Sequence, residues 1–421
     1  MATKKEVDLI IKSANELLTV AGGSQKPLLG TQMKELGIIK NGGIAVDKGR
    51  IAAVGKTEDI VRQFRGKESL DATGKVVMPG FTDSHTHLVF AGSREDEFEM
   101  RLQGASYMEI LRKGGGILKT VQETRKASKT ELVENCKKTL KVMLEHGTTT
   151  AEAKSGYGLN LKDEIKCLEV MKILNEKQPV EVVPTFLGAH AVPPEYENNA
   201  EEYVALVIEE MIPVIANHKL AEFCDVFCEK EVFSIEQSKK ILLNGKKHGL
   251  MPKLHADEMT RLGGAELAAD IGAVSAEHLL FASDNGMKML AEKGVVAVLL
   301  PGAAFSLMVG RYAEARKMIE FRVPVALGTD FNPSCWIENL QTIIALACYQ
   351  MKMTPAEAIV ATTINAAHAV NRAKEVGSLE AGKKADILVL DVPNHKFLGY
   401  RYGVNLIEKV LKNGKMVVEF S

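Results

Sequence analysis

Val77-Met78-Pro79-Gly80-Phe81-Thr82-Asp83-Ser84-His85-Thr86-His87-Leu88-Val89-Phe90 carries an apolar run through a Pro-Gly turn into two histidines one residue apart. Side chains alternate faces along extended backbone, so His85 and His87 point the same way and can converge on one ion. Chance supplies about 0.24 such pairs in a chain with ten histidines among 421 residues, so the spacing alone is weak. Position strengthens it, because the pair sits where a strand ends, and strand ends are where sites are built. The remaining ligands must come from elsewhere in the chain.

Working outward, the strand at 76–81 is followed by apolar runs at 149–154, 180–188, 222–229, 252–256, 274–278, 295–300 and 324–329. Amphipathic segments separate them. Ser128 is placed to cap a helix through Leu132, Cys136, Leu140, Met143 and Leu144 that stops at Gly147. Ser234, with Gln237 three residues on, forms a capping box for a helix ending at Gly249. Strands alternating with helices in this way predict an α/β fold, a (β/α)8 TIM barrel over residues 76–379, with a doubly wound sheet as the alternative. A barrel requires its chemistry just after the strands. His85 and His87 follow the first, Lys154 to Tyr157 the second, His190 the third, His255 the fifth, His278 the sixth and Asp330 the eighth. A single histidine at such a place is commonly a hydrogen-bonded core residue. The whole set at one end of one barrel reads as a site.

The two ends of the chain read differently. Asn41 to Gly55 has alternating apolar positions around Asp47-Lys48-Gly49, and Ile407 to Val418 has the same style around Asn413-Gly414, both hairpin signatures. Neither end has enough apolar residues for its own core, so residues 1–75 and 380–421 are expected to combine into one small composite β-sandwich domain.

Composition excludes several classes. The chain is 46% hydrophobic and 25% charged, with 53 Lys and Arg against 54 Asp and Glu interspersed along it. This leaves no electrostatic footprint for nucleic acid or an anionic membrane, so a small-molecule substrate is expected. Met1-Ala2-Thr3-Lys4-Lys5-Glu6-Val7-Asp8 puts charges where a signal peptide needs an apolar core, and no run of 18 apolar residues occurs. The six cysteines suit reduced, buried thiols, and Cys224 and Cys228 lack a second pair to complete a structural zinc set. A cytoplasmic location is expected.

Pro79-Gly80-Phe81-Thr82-Asp83-Ser84-His85-Thr86-His87, with Leu254-His255-Ala256-Asp257-Glu258 and Gly328-Thr329-Asp330, resembles the amidohydrolase superfamily, barrel hydrolases with a flanking composite β-sandwich. Further blocks at His87 to Glu95, Lys113 to Leu118, Gly147 to Gly158, Leu187 to Tyr196 and Asp330 to Pro333 extend the resemblance over nearly the whole chain. They point to members that hydrolyse the C–N bond of a cyclic amide, an imidazolone ring with a propanoate tail, in histidine breakdown. The resemblance implies one divalent metal per chain, Zn2+ or Fe2+/Fe3+, on His85, His87, His255 and Asp330, and a homodimer. Three imidazoles and a carboxylate suit zinc or iron and leave room for water. A bound ion would lower that water's pKa from about 15.7 towards about 7.

Catalytic roles fall by the same resemblance to Glu258, His278 and Asp330, and which of them carries the proton is left open. Glu258 also reads as a helix-start carboxylate favoured by the dipole. Substrate contacts are implied for Arg94, Tyr157, His190, Glu258, Asn332, Ser334 and Cys335. A propanoate favours a forked cation, which fits Arg94, although Arg94-Glu95-Asp96-Glu97 also reads as surface ion pairing. Relatives continue Asp-Phe-Asn-Pro with Gly and a small hydroxyl residue where this chain has Ser334-Cys335-Trp336. Lys154 stands where a carbamylated lysine could bridge two metals, yet its block resembles single-metal relatives. Gly114-Gly115-Gly116 lacks the Lys-Ser/Thr of a phosphate loop and reads as a tight turn or lid. Two other functions stay in view. One is a different amidohydrolase, such as a deaminase or a hydantoin-type ring opener, and the other is a non-catalytic barrel that binds or assembles.

Overall fold

The computed structural model describes residues 4–105, 109 and 114–420; Met1 to Thr3 and Lys113 lie outside the described residues. Eight parallel strands stand side by side in chain order: Phe81–Asp83, Thr148–Lys154, Glu181–Ala189, Phe223–Cys228, Met251–Ala256, Ser275–His278, Val296–Leu299 and Val325–Leu327. Helices packed outside the sheet and side chains packed inside it bury these strands on both faces, which is why strands such as Val296–Leu299 read as apolar runs. The first and last strands close on each other just beyond their ends. The Asp330 N–H donates to the His85 carbonyl and the His87 N–H to the Phe331 carbonyl, both at 2.9 Å, and Thr86 bridges Phe331 in parallel. The barrel seam therefore holds two histidines and an aspartate of the expected ligand set.

One expected strand divides. Residues 76–81 read as a single strand, but Val76–Pro79 runs antiparallel to Ile387–Leu390 in a terminal sheet, and only Phe81–Asp83 enters the barrel. The switch is at Gly80, whose N–H donates to the Asp386 carbonyl at 2.9 Å while the next N–H, on Phe81, donates to the Gly147 carbonyl at 3.0 Å. A Cβ at position 80 would lie 2.3 Å from Thr149 Oγ1, so glycine is needed where the two layers meet.

The terminal strands form two sheets. One has the order Arg50–Lys56, Gly42–Asp47, Lys5–Ala14, Phe64–Asp71. The other has the order Lys415–Glu419, Ile407–Lys412, Ile387–Leu390, Val76–Pro79, Glu16–Leu18, Ile38–Ile39, and so draws on both ends of the chain. Leu9, Ile11, Ile44, Val77, Ile387 and Leu411 are among the residues that form a shared apolar cluster. Both hairpins turn through two left-handed residues, Lys48 and Gly49 in one, Asn413 and Gly414 in the other, the geometry that matches strand twist.

The helix signals correspond to capped helices, Lys129–Glu145 under a Ser128/Glu131 capping box and Ile235–Lys247 under Ser234/Gln237. Among the described residues no helix is long and apolar enough to cross a membrane.

Gly147 joins the two layers. It has a left-handed φ of 98°, and a Cβ there would come 2.9 Å from Leu388, 3.0 Å from Phe81 and 3.1 Å from Ile407. Gly147→Ala is expected to cost about 1–3 kcal/mol, combining backbone strain with overpacking, and to lower the urea midpoint accordingly. An unchanged midpoint would mean that this joint can relax around a methyl group.

Candidate active site

Just past the first barrel strand, the extended backbone brings His85 Nε2 to 3.3 Å from His87 Nε2. His255, near the end of the fifth strand, places its Nε2 3.4 Å from that of His87. Asp330 Oδ1 lies 3.4 Å from His85 Nε2 and 3.5 Å from His87 Nε2. Donor atoms bound to one ion at about 2.0–2.1 Å stand roughly 3.3–3.4 Å apart, so these four separations suit a shared divalent ion in this buried set. A second grouping, His85, His278 and Asp330, brings His278 to the same centre. Asp257, His278 and Asp330 all have left-handed φ, at 49°, 68° and 51°, a concentration of backbone strain at the strand ends.

Beneath these four side chains lies a charged layer that sequence reasoning missed. Glu277 Oε2 faces His85 Nδ1 at 2.7 Å, and Asp225 Oδ2 faces His255 Nδ1 at 3.0 Å, so each ring is turned with its Nε2 toward the centre. Lys154 Nζ lies 2.8 Å from Asp225, 2.9 Å from Glu277 and 3.0 Å from Glu152. Lys253 Nζ lies 2.6 Å from Glu152 and 3.2 Å from Glu277. These five charged side chains have no solvent exposure. Burial opposes the Lys154 charge, yet Asp225, Glu152 and Glu277 together raise its pKa above the usual value. An ammonium held by three carboxylates is not free to become a carbamate bridge. A sequence signal did exist: Glu152-x-Lys154 and Lys253-x-His255 are charged pairs sharing a face of otherwise apolar strands.

Glu258 Oε2 lies 3.6 Å from His278 Nε2. Burial pushes the Glu258 carboxyl up to about 8, helped by the negative charges of Asp330 and Glu229. Burial lowers both His278 and His190 to about 3, which keeps both rings neutral at pH 7. His190 stacks on His87 with centroids 4.8 Å apart, and its Nδ1 lies 3.0 Å from the Gly156 carbonyl. The buried Tyr157 ring stands 5.9 Å from His87 and 5.2 Å from His190.

Arg94 is not a surface residue. Its side chain is 11% exposed, its buried Nε has no hydrogen-bond partner among the described residues, and its ion pair with Glu97 is stretched to 3.9 Å. The other Glu97 oxygen accepts the Gly116 N–H at 2.8 Å, tying the glycine turn to the Arg94 helix. Arg94, Phe98, Ser334 and Trp336 help line a cavity of about 650 Å³. Asn332 is committed to its own loop: its amide donates to Asp330 Oδ1 at 3.1 Å, and its oxygen accepts the Ser334 and Cys335 N–H groups. The Cys335 thiol is buried beside Ser306 and the Thr329 carbonyl, while Trp336 packs edge-on against Phe90 and Phe331.

A profile of the amidohydrolase family matches residues 235–417. The chain is 55% identical over 416 residues to an imidazolonepropionase from Geobacillus sp. (strain WCH70), covering 98% of each chain. It is 49% identical over 420 residues to an imidazolonepropionase from Clostridium tetani, covering 99% of this chain and all of that one. The chain belongs to the imidazolonepropionase family. Its fold is shared more widely than that family. An adenosine deaminase from Xanthomonas campestris with bound zinc aligns with a TM-score of 0.73 at 16% identity, covering 99% of this chain and 94% of that one. Ochratoxinase from A. niger aligns with a TM-score of 0.70 at 19% identity, covering 99% and 96%. At these identities the likeness is one of fold, so the imidazolonepropionase relatives carry the functional argument.

Proposed function

We propose that the chain hydrolyses the cyclic amide of 4-imidazolone-5-propanoate to N-formimidoyl-L-glutamate, in histidine degradation, using one zinc or iron ion per chain. The observation that carries this reading is the convergence of His85, His87, His255 and Asp330, with Glu258 close by, in a chain 55% identical to an imidazolonepropionase. Those four residues would hold the ion, which when bound lowers the pKa of a water and polarises a carbonyl.

The other roles belong to the protein. Glu258, with its raised proton affinity, takes a proton from the attacking water and returns it to the departing ring nitrogen. The carbonyl carbon gains the water oxygen as the ring C–N bond breaks, leaving a carboxylate and a formimidoyl nitrogen. The neutral His278, held in a left-handed backbone, faces the developing oxyanion. Arg94, whose buried Nε has no partner among the described residues, pairs with the propanoate, and Tyr157 and His190, with rings 5.2 Å apart, supply neutral donors to the substrate. Ser334 and Cys335 complete the contact loop that Asn332 braces. The proposal places the enzyme in the cytoplasm as a homodimer. The buried free thiols support the first part, and the exposed Tyr349 and Tyr402, paired edge to face, support the second.

Loss of the imidazolone chromophore with purified protein tests this, alongside metal analysis and a panel of other ring substrates. Rapid loss needing about one metal per chain, abolished by chelation and restored by zinc or iron, is the expected result. A stable imidazolone beside folded, metal-loaded protein would refute the assignment, and turnover of another ring would replace it.

A further inference from the structure

The fourth barrel strand supplies none of the four proposed ligands, yet the residue just past its end, Glu229, is only 1% exposed, and among the described residues its carboxylate hydrogen-bonds to the neighbouring active-site loop and its own turn. One carboxylate oxygen accepts the Met259 N–H at 2.8 Å and the Thr260 N–H at 3.2 Å. The other accepts the Thr260 hydroxyl and the Lys230 N–H, the latter at 2.8 Å. Three of the four donors thus belong to the two residues that directly follow Glu258.

On the opposite side of Glu258, Asp257 is fixed as firmly. Its carboxylate accepts the N–H groups of Leu262, Gly263, Gly264 and Ala265 at 2.9–3.1 Å, anchoring the loop to the start of the helix Gly264–Ile271. Glu258 sits between these two anchors. Among the described residues, the polar neighbour of its own carboxylate at ion-pair distance is His278, at 3.6 Å. The backbone on either side must therefore aim it.

We propose that Glu229 is a positioning residue for Glu258, clamping the Met259–Thr260 backbone so that the Glu258 carboxylate is held over the His85, His87, His255 and Asp330 centre. The clamp rests on the reading of Glu258 as the proton carrier. Its physical basis is that a carboxylate accepting several backbone N–H groups in a buried site fixes those peptides strongly, while a carboxamide in its place presents a donor to donors. Placing a reacting group about 1 Å away from its productive position costs on the order of 10²-fold in rate.

Glu229→Gln is expected to lower kcat about 10- to 100-fold while KM changes less than about 3-fold and bound metal per chain stays at the parental value. In a Glu258→Gln background the same change is expected to have almost no further effect, because a clamp that acts through Glu258 loses its target. Thr260→Val, which removes the hydroxyl donor and leaves both backbone donors, should lower kcat about 2- to 5-fold with the same non-additivity. Parental kcat in both Glu229→Gln and Thr260→Val, or equal losses with and without Glu258, would overturn the clamp. Absence of imidazolone turnover by the parent would instead refute the functional assignment, and parental turnover by Glu258→Gln would refute the role of Glu258.

Discussion

Glu258→Gln is expected to lower kcat by about 10²- to 10⁴-fold with metal content and KM close to the parent, because the amide keeps the shape of the side chain and cannot accept the proton. The environment explains why this carboxylate suits the task. Burial, then Asp330, then Glu229 raise its proton affinity toward about 8, while His85 opposes them. A bound dication adds to that opposition, so the working value in the loaded enzyme falls below that of the free chain. Only the ionised carboxylate accepts a proton, so kcat/KM should rise with pH through this group, and the acid limb should disappear in the Glu258→Gln variant. A variant that keeps both the parental rate and the parental acid limb would move proton transfer to Asp330 or His278.

What was legible in the sequence divides along a physical line. The barrel strands could be read because both of their faces are buried, so that stretches such as Val296–Leu299 are apolar without interruption. The misassigned strand at 76–81 shows where this fails. Hydrophobicity continues through Gly80, but the hydrogen-bond partner changes from Asp386 to Gly147 across one residue, and no periodicity records a change of sheet. The candidate ligands stood out as polar residues at the ends of strands, with the block resemblance implying their roles. Glu152, Asp225, Lys253 and Glu277 did not, since the i, i+2 spacing at Glu152 and Lys253 shows a shared face but not the partners that meet only when the barrel closes. Lys253 and Glu152 meet across 101 residues of chain. The Glu229 clamp was hidden for the same reason, its partners lying 30 and 31 residues on.

That buried layer carries the largest expected stability effect. Lys154→Met removes one ammonium of nearly equal volume and leaves Glu152, Asp225 and Glu277 with Lys253 as the remaining cation of the cluster. The cluster then changes from one net negative charge to two, with no solvent exposure to relieve it. Removing one partner of a buried ion pair costs about 3–5 kcal/mol, and the urea midpoint of the metal-free protein should fall accordingly. Metal affinity should weaken about 10- to 100-fold as well, because Glu277 and Asp225 orient His85 and His255. The two effects separate in a double variant. Glu152 pairs with both lysines and is at ion-pair distance from neither His85 nor His255, so adding Glu152→Gln to Lys154→Met returns the cluster to one net negative charge and should recover part of the lost stability. Metal affinity should recover less, since the Lys154 contacts to Asp225 and Glu277 remain absent. A single variant as stable as the parent, or a double variant no more stable than the single, would show that the lysine's charge is not what holds the barrel floor together.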